Sequence, residues 1–109
     1  MVTVIQSSVF KTWLDELKDE RARARIVARL LRLEKGNAGD VKPVGEGISE
    51  MRIDYGPGYR VYIWKQALVT VIVLCGGDKR TQARDIANAK SIVKAYSQEA
   101  SHHGTRKKS

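Results

Sequence analysis

Apolar residues recur along this chain with two different periods, and the changes between them divide it into elements. Val2 to Gln6 is a short β-rich run. It is followed by Ser7-Ser8, either of which can cap a helix whose apolar positions are Val9, Phe10, Trp13, Leu14 and Leu17. Asp19 is placed to cap a second helix from Glu20 to Lys35, with Ile26, Val27, Leu30, Leu31 and Leu33 as its buried stripe and Gly36-Asn37 as its stop. The opposite side of that helix carries Arg21, Arg25, Arg29 and Arg32. At this spacing they line up along one side, either as a solvated helix face or as a track for a nucleic-acid backbone.

Further along, the period falls to two. Ile48 to Asp54 and Tyr59 to Lys65 read as strands joined across Tyr55-Gly56-Pro57-Gly58, an antiparallel hairpin. Ile48, Met51 and Ile53 include the apolar positions of the first strand, whereas Glu50, Arg52 and Asp54 share the other face. In the second strand Val61 and Ile63 point one way and Arg60, Tyr62 and Trp64 the other. Leu68 to Leu74 is almost wholly apolar, the pattern of a central strand covered on both faces. Gly76-Gly77-Asp78-Lys79 is a turn, and a last helix from about Thr81 to Gln98 offers Ile86, Ala89, Ile92, Val93 and Tyr96 to the core.

The order is β-α-α-β-β-β-α, which predicts an α+β domain over residues 1–99: a helical hairpin, a curled and mainly antiparallel sheet, and a closing helix. Ala38 to Gly47, with Lys42 near its middle, reads as loop. With helices on one face of the sheet, the other is expected to form a concave polar surface lined by Arg52 and Arg60, with Lys79 nearby. The polar segment 100–109 reads as a disordered basic tail that contains both histidines, His102 and His103.

Composition narrows the function classes. The 109-residue chain carries a formal net charge of +8. Without the tail, 17 basic side chains still face 12 acidic ones, a net +5, so the folded part is basic in its own right and a polyanionic partner is expected. No segment is apolar for long enough to span a membrane, and the N-terminus lacks the charged lead of a signal peptide, which points to a cytoplasmic protein. The single cysteine, Cys75, sits in an apolar run and reads as a small buried hydrophobe. No metal or other cofactor is expected.

The hairpin carries the chemistry. Arg52 and Arg60 should lie nearly opposite each other, and like charges in that relation destabilise a sheet. Either an anion binds between them or Glu50 and Asp54 neutralise them.

Four motifs together resemble the RelE/ParE toxin superfamily, most closely its HigB-like addiction-module killer branch. They are Gly36-Asn37…Gly39-Asp40-Val41-Lys42-Pro43, Ser49-Glu50-Met51-Arg52-Ile53, Gly56-Pro57-Gly58-Tyr59-Arg60-Val61-Tyr62 and Gly76-Gly77-Asp78-Lys79…Gln82…Asp85-Ile86. The resemblance spans about residues 2–97. It implies a RelE-like fold and the toxin of a type II toxin–antitoxin system, a ribosome-dependent endonuclease that cuts mRNA by 2′-hydroxyl attack without a metal. It also implies a helix-turn-helix antitoxin as partner, with operator DNA met only through that antitoxin and no membrane involved. Arg52, Arg60 and Lys79 fall where the family places basic residues of the cleavage site. Arg21, Arg25, Arg29, Arg32, Lys42, Tyr62 and Arg80 would contact RNA or the ribosome. Family nucleases often carry a tyrosine or histidine near the start of the last helix, whereas this chain reads Arg80-Thr81-Gln82-Ala83-Arg84-Asp85. That departure leaves the general base unassigned and keeps open the superfamily's other activity, poisoning of DNA gyrase.

Overall fold

The computed structural model describes the backbone of residues 1–108 and the side chains of residues 1–98. The chain runs β1 (Thr3–Gln6), α1 (Ser8–Glu16), α2 (Glu20–Glu34), β2 (Val41–Gly45), β3 (Ile48–Ile53), β4 (Tyr59–Ala67), β5 (Thr70–Gly77), a short 3₁₀ turn (Lys79–Thr81) and α3 (Gln82–Lys108). The strands form one mixed sheet in the order β1-β5-β4-β3-β2, with β1 parallel to β5 and every other pair antiparallel. This is the expected α+β architecture, consistent with a RelE-like fold. The side chains of the expected basic tail, Ala100 to Ser109, lie outside the described residues.

Capping residues set the two N-terminal helices. Ser7 accepts from Phe10 N at 3.0 Å and donates its hydroxyl to Leu74 O at 2.6 Å, so the cap of α1 also ties that helix to β5, an interior strand. Asp19 accepts from Arg21 N and Ala22 N and starts α2. Both helices pack on one face of the sheet, where Phe10, Leu14, Ile26, Leu30 and Leu33 meet Met51, Ile53, Val61, Ile63, Val71 and Val73. The buried line of α2 is Ala22, Ile26, Leu30 and Leu33. Val27 and Leu31, expected in the stripe, are exposed, because only one narrow side of α2 meets the sheet.

The segment expected to be loop between Ala38 and Gly47 contains an edge strand. Val41, Lys42 and Pro43 pair with Met51, Glu50 and Ser49 of β3, with an irregularity before Gly45. Pro43 is tolerated there because an edge strand needs a ladder on one side only.

The other sheet face is not the open concave surface expected. α3 covers much of it, packing Ala89, Ile86, Ile92 and Val93 with Ile48, Tyr62, Ile72, Leu74 and Cys75. Ile48, expected with Met51 and Ile53, belongs to this layer, as strict alternation along β3 requires. A register shift sets Tyr62 opposite Cys75 and Ile63 opposite Val73, leaving Leu74 as an extra residue in β5. This bulge puts Leu74 and Cys75 on the same side. Cys75 is buried as expected, and burial, reinforced by nearby Asp85, pushes its thiol up to about 12. Among the described residues, no helix is long and apolar enough to cross a membrane.

Candidate functional site

The site lies at the end of the sheet that α3 leaves uncovered, where β3 and β4 meet their connecting turn. Arg52 and Arg60 are register partners, directly opposite each other on adjacent strands, and Gly77 of β5 stands opposite Arg60 on the other side. The turn is held by Gly58 N donating to Tyr55 O at 3.1 Å. Gly58 has φ +78°, a conformation side chains resist. Its lack of a side chain also keeps it close to Arg60 and Lys79: a β-carbon there would stand 3.2 Å from Arg60 Nη1 and 3.6 Å from Lys79 Cβ. The turn thereby packs beside Lys79, exposed in the 3₁₀ turn after β5, on the Arg60 side of the pair. Arg60 Nη1 donates to Gly58 O at 2.8 Å, fixing one end of that guanidinium.

Beneath the pair lies a carboxylate. Glu50 is fully buried, and one of its oxygens, Oε1, stands 3.3 Å from Arg52 Nε and 3.5 Å from Arg60 Nε. The Arg52 contact is aligned as a hydrogen bond, whereas Arg60 Nε is close enough for ionic attraction but finds no aligned acceptor. Oε2 accepts from Tyr62 Oη at 3.1 Å and from Gln82 Nε2 at 2.7 Å. Of the two openings considered from the sequence, Glu50 does offset the like charges, yet the arginines remain accessible: their side chains are 39% and 14% exposed. With Asp40, Ile53, Asp54, Gly58 and Tyr59 they line an open cleft of about 230 Å³. Two larger hollows lie elsewhere, an apolar one beside Leu33, Ile63 and Leu68 and one beside Glu46, Lys90 and Lys94; neither gathers opposed cationic groups of this kind.

The floor of the site is set by α3. Asp78 caps the 3₁₀ turn, accepting from Arg80 N at 2.8 Å, and its carboxyl is held below the usual carboxylate range first by the Arg80 side chain. Asp85 accepts from Thr81 Oγ1 and lies against Gly77, so closely that a β-carbon at Gly77 would stand 1.8 Å from Asp85 Oδ2. Only glycine lets the helix seat at this point.

The other residues singled out in the sequence fall into two groups. Arg21, Arg25, Arg32, Lys42, Lys79 and Arg80 are exposed. Arg25 lies 4.7 Å from the centre of the Tyr55 ring, which brings the basic side of α2 up to the hairpin turn. Lys42 stands opposite Glu50 on the edge strand. Two residues are not placed as expected. Tyr62 is enclosed under α3, its phenol raised above its ordinary value by burial and by Glu50, so it cannot touch RNA. Arg29 turns inward and donates to the carbonyls of Arg52, Ala38 and Asp40, with burial lowering its pKa; it braces α2 against β3. Gln82 and the full role of Glu50 were missed. The Gln82 signal was only its place in the last motif, because its contact with Glu50 spans 32 residues.

The chain is 56% identical over 84 residues to a protein of Haemophilus influenzae (strain Rd) described as uncharacterized, an alignment covering 77% of this chain and 85% of the relative. No solved structure gives a significant match. Residues 12–98, which include the hairpin, the buried carboxylate and the start of α3, match the family model of the phage-derived Gp49-like proteins (DUF891). The chain belongs to that family, a RelE-like family related to toxin–antitoxin systems.

Proposed function

We propose that this protein is the toxin of a type II toxin–antitoxin pair, of the HigB-like kind, and that it cleaves mRNA on the ribosome in the cytoplasm. The observation that carries this reading is the Arg52–Arg60 pair, two guanidinium groups directly opposed at an open cleft. Glu50 offsets their repulsion from beneath, and a phosphate between their exposed sides would complete the compensation. Their Nε groups face Glu50 and Arg60 Nη1 is engaged by Gly58 O, which leaves the outer nitrogens of Arg52 and Nη2 of Arg60 for the ligand. In 2′-hydroxyl attack those nitrogens would hold the scissile phosphate and stabilise the charge that grows on it.

Lys79, beside the turn, is a further cation and would add to that charge stabilisation or transfer a proton. The folded residues 1–98 contain no histidine. A site so poor in proton-transfer groups gains most from having its RNA held in line by another body, and the ribosome supplies that orientation. Arg21, Arg25, Arg32, Lys42 and Arg80 are exposed and would contact ribosomal RNA. Tyr62 and Arg29 drop out of the contact set and become supports. The partner that silences the toxin would be a helix-turn-helix antitoxin, and operator DNA would be met only through it.

Mapping 5′ ends of a defined mRNA in a reconstituted translation reaction tests this reading. We expect ribosome-dependent cuts that fall by about 10²–10³-fold in Arg60→Ala, the usual cost of one transition-state donor. Equal cleavage with and without ribosomes would sink the account. A second reading, a DNA gyrase poison without nuclease activity, is favoured by the absence of tyrosine and histidine from Arg80 to Asp85. It requires intact mRNA and gyrase-dependent DNA breaks in the same preparation.

A further inference from the structure

We infer that Glu50 is a positioning residue that sets the spacing and orientation of the Arg52–Arg60 pair, and that Tyr62 and Gln82 hold it in place to do so. The inference deepens the nuclease reading above and rests on it for its catalytic consequence. The geometry assigns different work to the two carboxylate oxygens. Oε2 takes the neutral donors, Tyr62 at 3.1 Å and Gln82 at 2.7 Å. Oε1 is thereby turned to the cations, with Arg52 Nε at 3.3 Å and Arg60 Nε at 3.5 Å.

A buried carboxylate is a poor way to stabilise a sheet, since apolar packing of similar volume commonly does as well or better. Here it lies directly under the cleft and reaches both guanidiniums by their inner nitrogens. Two opposed arginines without it would repel and splay, and their side-chain freedom would have to be lost each time a phosphate bound. With it, the pair is already held for one anion. Gln82 is the first residue of α3, so the same carboxylate joins the pair to the helix start that follows Lys79.

The isosteric variant Glu50→Gln separates positioning from packing. An amide keeps the shape but removes the charge that holds both guanidiniums, and with its NH₂ on the far side Tyr62 and Gln82 must reverse to accept. Two readouts are needed. The first is the 15N-resolved Nε–Hε signals of Arg52 and Arg60, assigned with Arg52→Lys and Arg60→Lys. We expect dispersed, slowly exchanging signals in the wild type and their collapse toward solvent-averaged positions in Glu50→Gln. The second is single-turnover cleavage of ribosome-bound mRNA set beside affinity for a non-cleavable RNA oligonucleotide. The rate should fall by about 10²-fold, as misplacement of a reacting group does. Affinity should be kept or raised, since a negative charge has left the cleft.

Unchanged arginine signals in Glu50→Gln would overturn the inference, as would a proportional loss of affinity and rate. Should Glu50→Gln fail to fold, Gln82→Ala at the partly exposed helix start takes its place. It should broaden both signals and slow cleavage by about 10-fold, since one orienting bond of the pair is lost; no change in either would overturn the inference. A wild type that never cuts RNA, but whose arginine signals collapse in Glu50→Gln, would reject the nuclease reading and support Glu50 as the residue that orders the pair.

Discussion

The two faces of the sheet are built to different rules. Under α1 and α2 the packing is apolar, Phe10, Leu14, Ile26 and Leu30 against Met51, Val61 and Val73, and polar groups enter only at its margin, as caps and as the inward-turned Arg29. Under α3 the layer starts the same way, with Ile48, Ile72 and Leu74, and then gives way to Tyr62, Glu50 and Asp85, all buried. One face is spent on stability. The other trades apolar burial for a satisfied polar network beneath the cleft, where the fold has something to hold in place.

The largest expected effect belongs to the first face. Phe10→Ala should cost about 3–5 kcal/mol of folding stability, as loss of a buried phenylalanine does. Denaturant melts would show it, and activity per folded molecule should be unchanged. A loss of activity that outran the loss of fold would break the division between the faces.

Gly77→Ala comes next and acts on the second face. The added methyl must displace Asp85, at an overpacking cost of about 1–3 kcal/mol. Here the fall in activity should exceed the fall in stability, because Gly77 also stands opposite Arg60. Comparing Tm with ribosome-dependent cleavage in the same preparation tests this, and a variant that loses both in proportion would place Gly77 with the structural face.

The smallest effect concerns the exposed cap of α2. Asp19 is held below its ordinary value of 3.8 by the Ala22 backbone donor first, and then by Tyr55 and Arg21. Because its folded value is the lower one, its contribution is complete above the unfolded value and disappears as pH falls through the folded value. Asp19→Asn keeps the cap acceptor but not the charge. The Tm difference between wild type and variant should therefore narrow below about pH 4; a gap constant with pH would remove the charge from the account.

Some of this was legible in the residues. The hairpin was, because alternation and Gly-Pro-Gly are local signals, and the facing of Arg52 and Arg60 followed from them. The cap Asp19 was legible for the same reason, whereas Ser7 and Ser8 stood as equal candidates until the fold set Ser7 against Leu74 O. β2 was not, since Val41-Lys42-Pro43-Val44-Gly45 has no strand pattern of its own and gains its order from the free edge of β3. Nor was the inward turn of Arg29, which nothing distinguishes from its neighbours at the same spacing until Arg52, Ala38 and Asp40 offer it carbonyls.

By itself, then, the sequence determined the basic character of the chain, every element but β2, the cap of α2 and the opposed arginines, because composition and residues a few positions apart suffice for these. The tertiary structure decided what surrounds those arginines. Glu50 meets Tyr62 and Gln82 across 12 and 32 residues, and α3 rather than solvent covers the second face. Contacts of that range are set by how helices and strands pack, which no local period encodes.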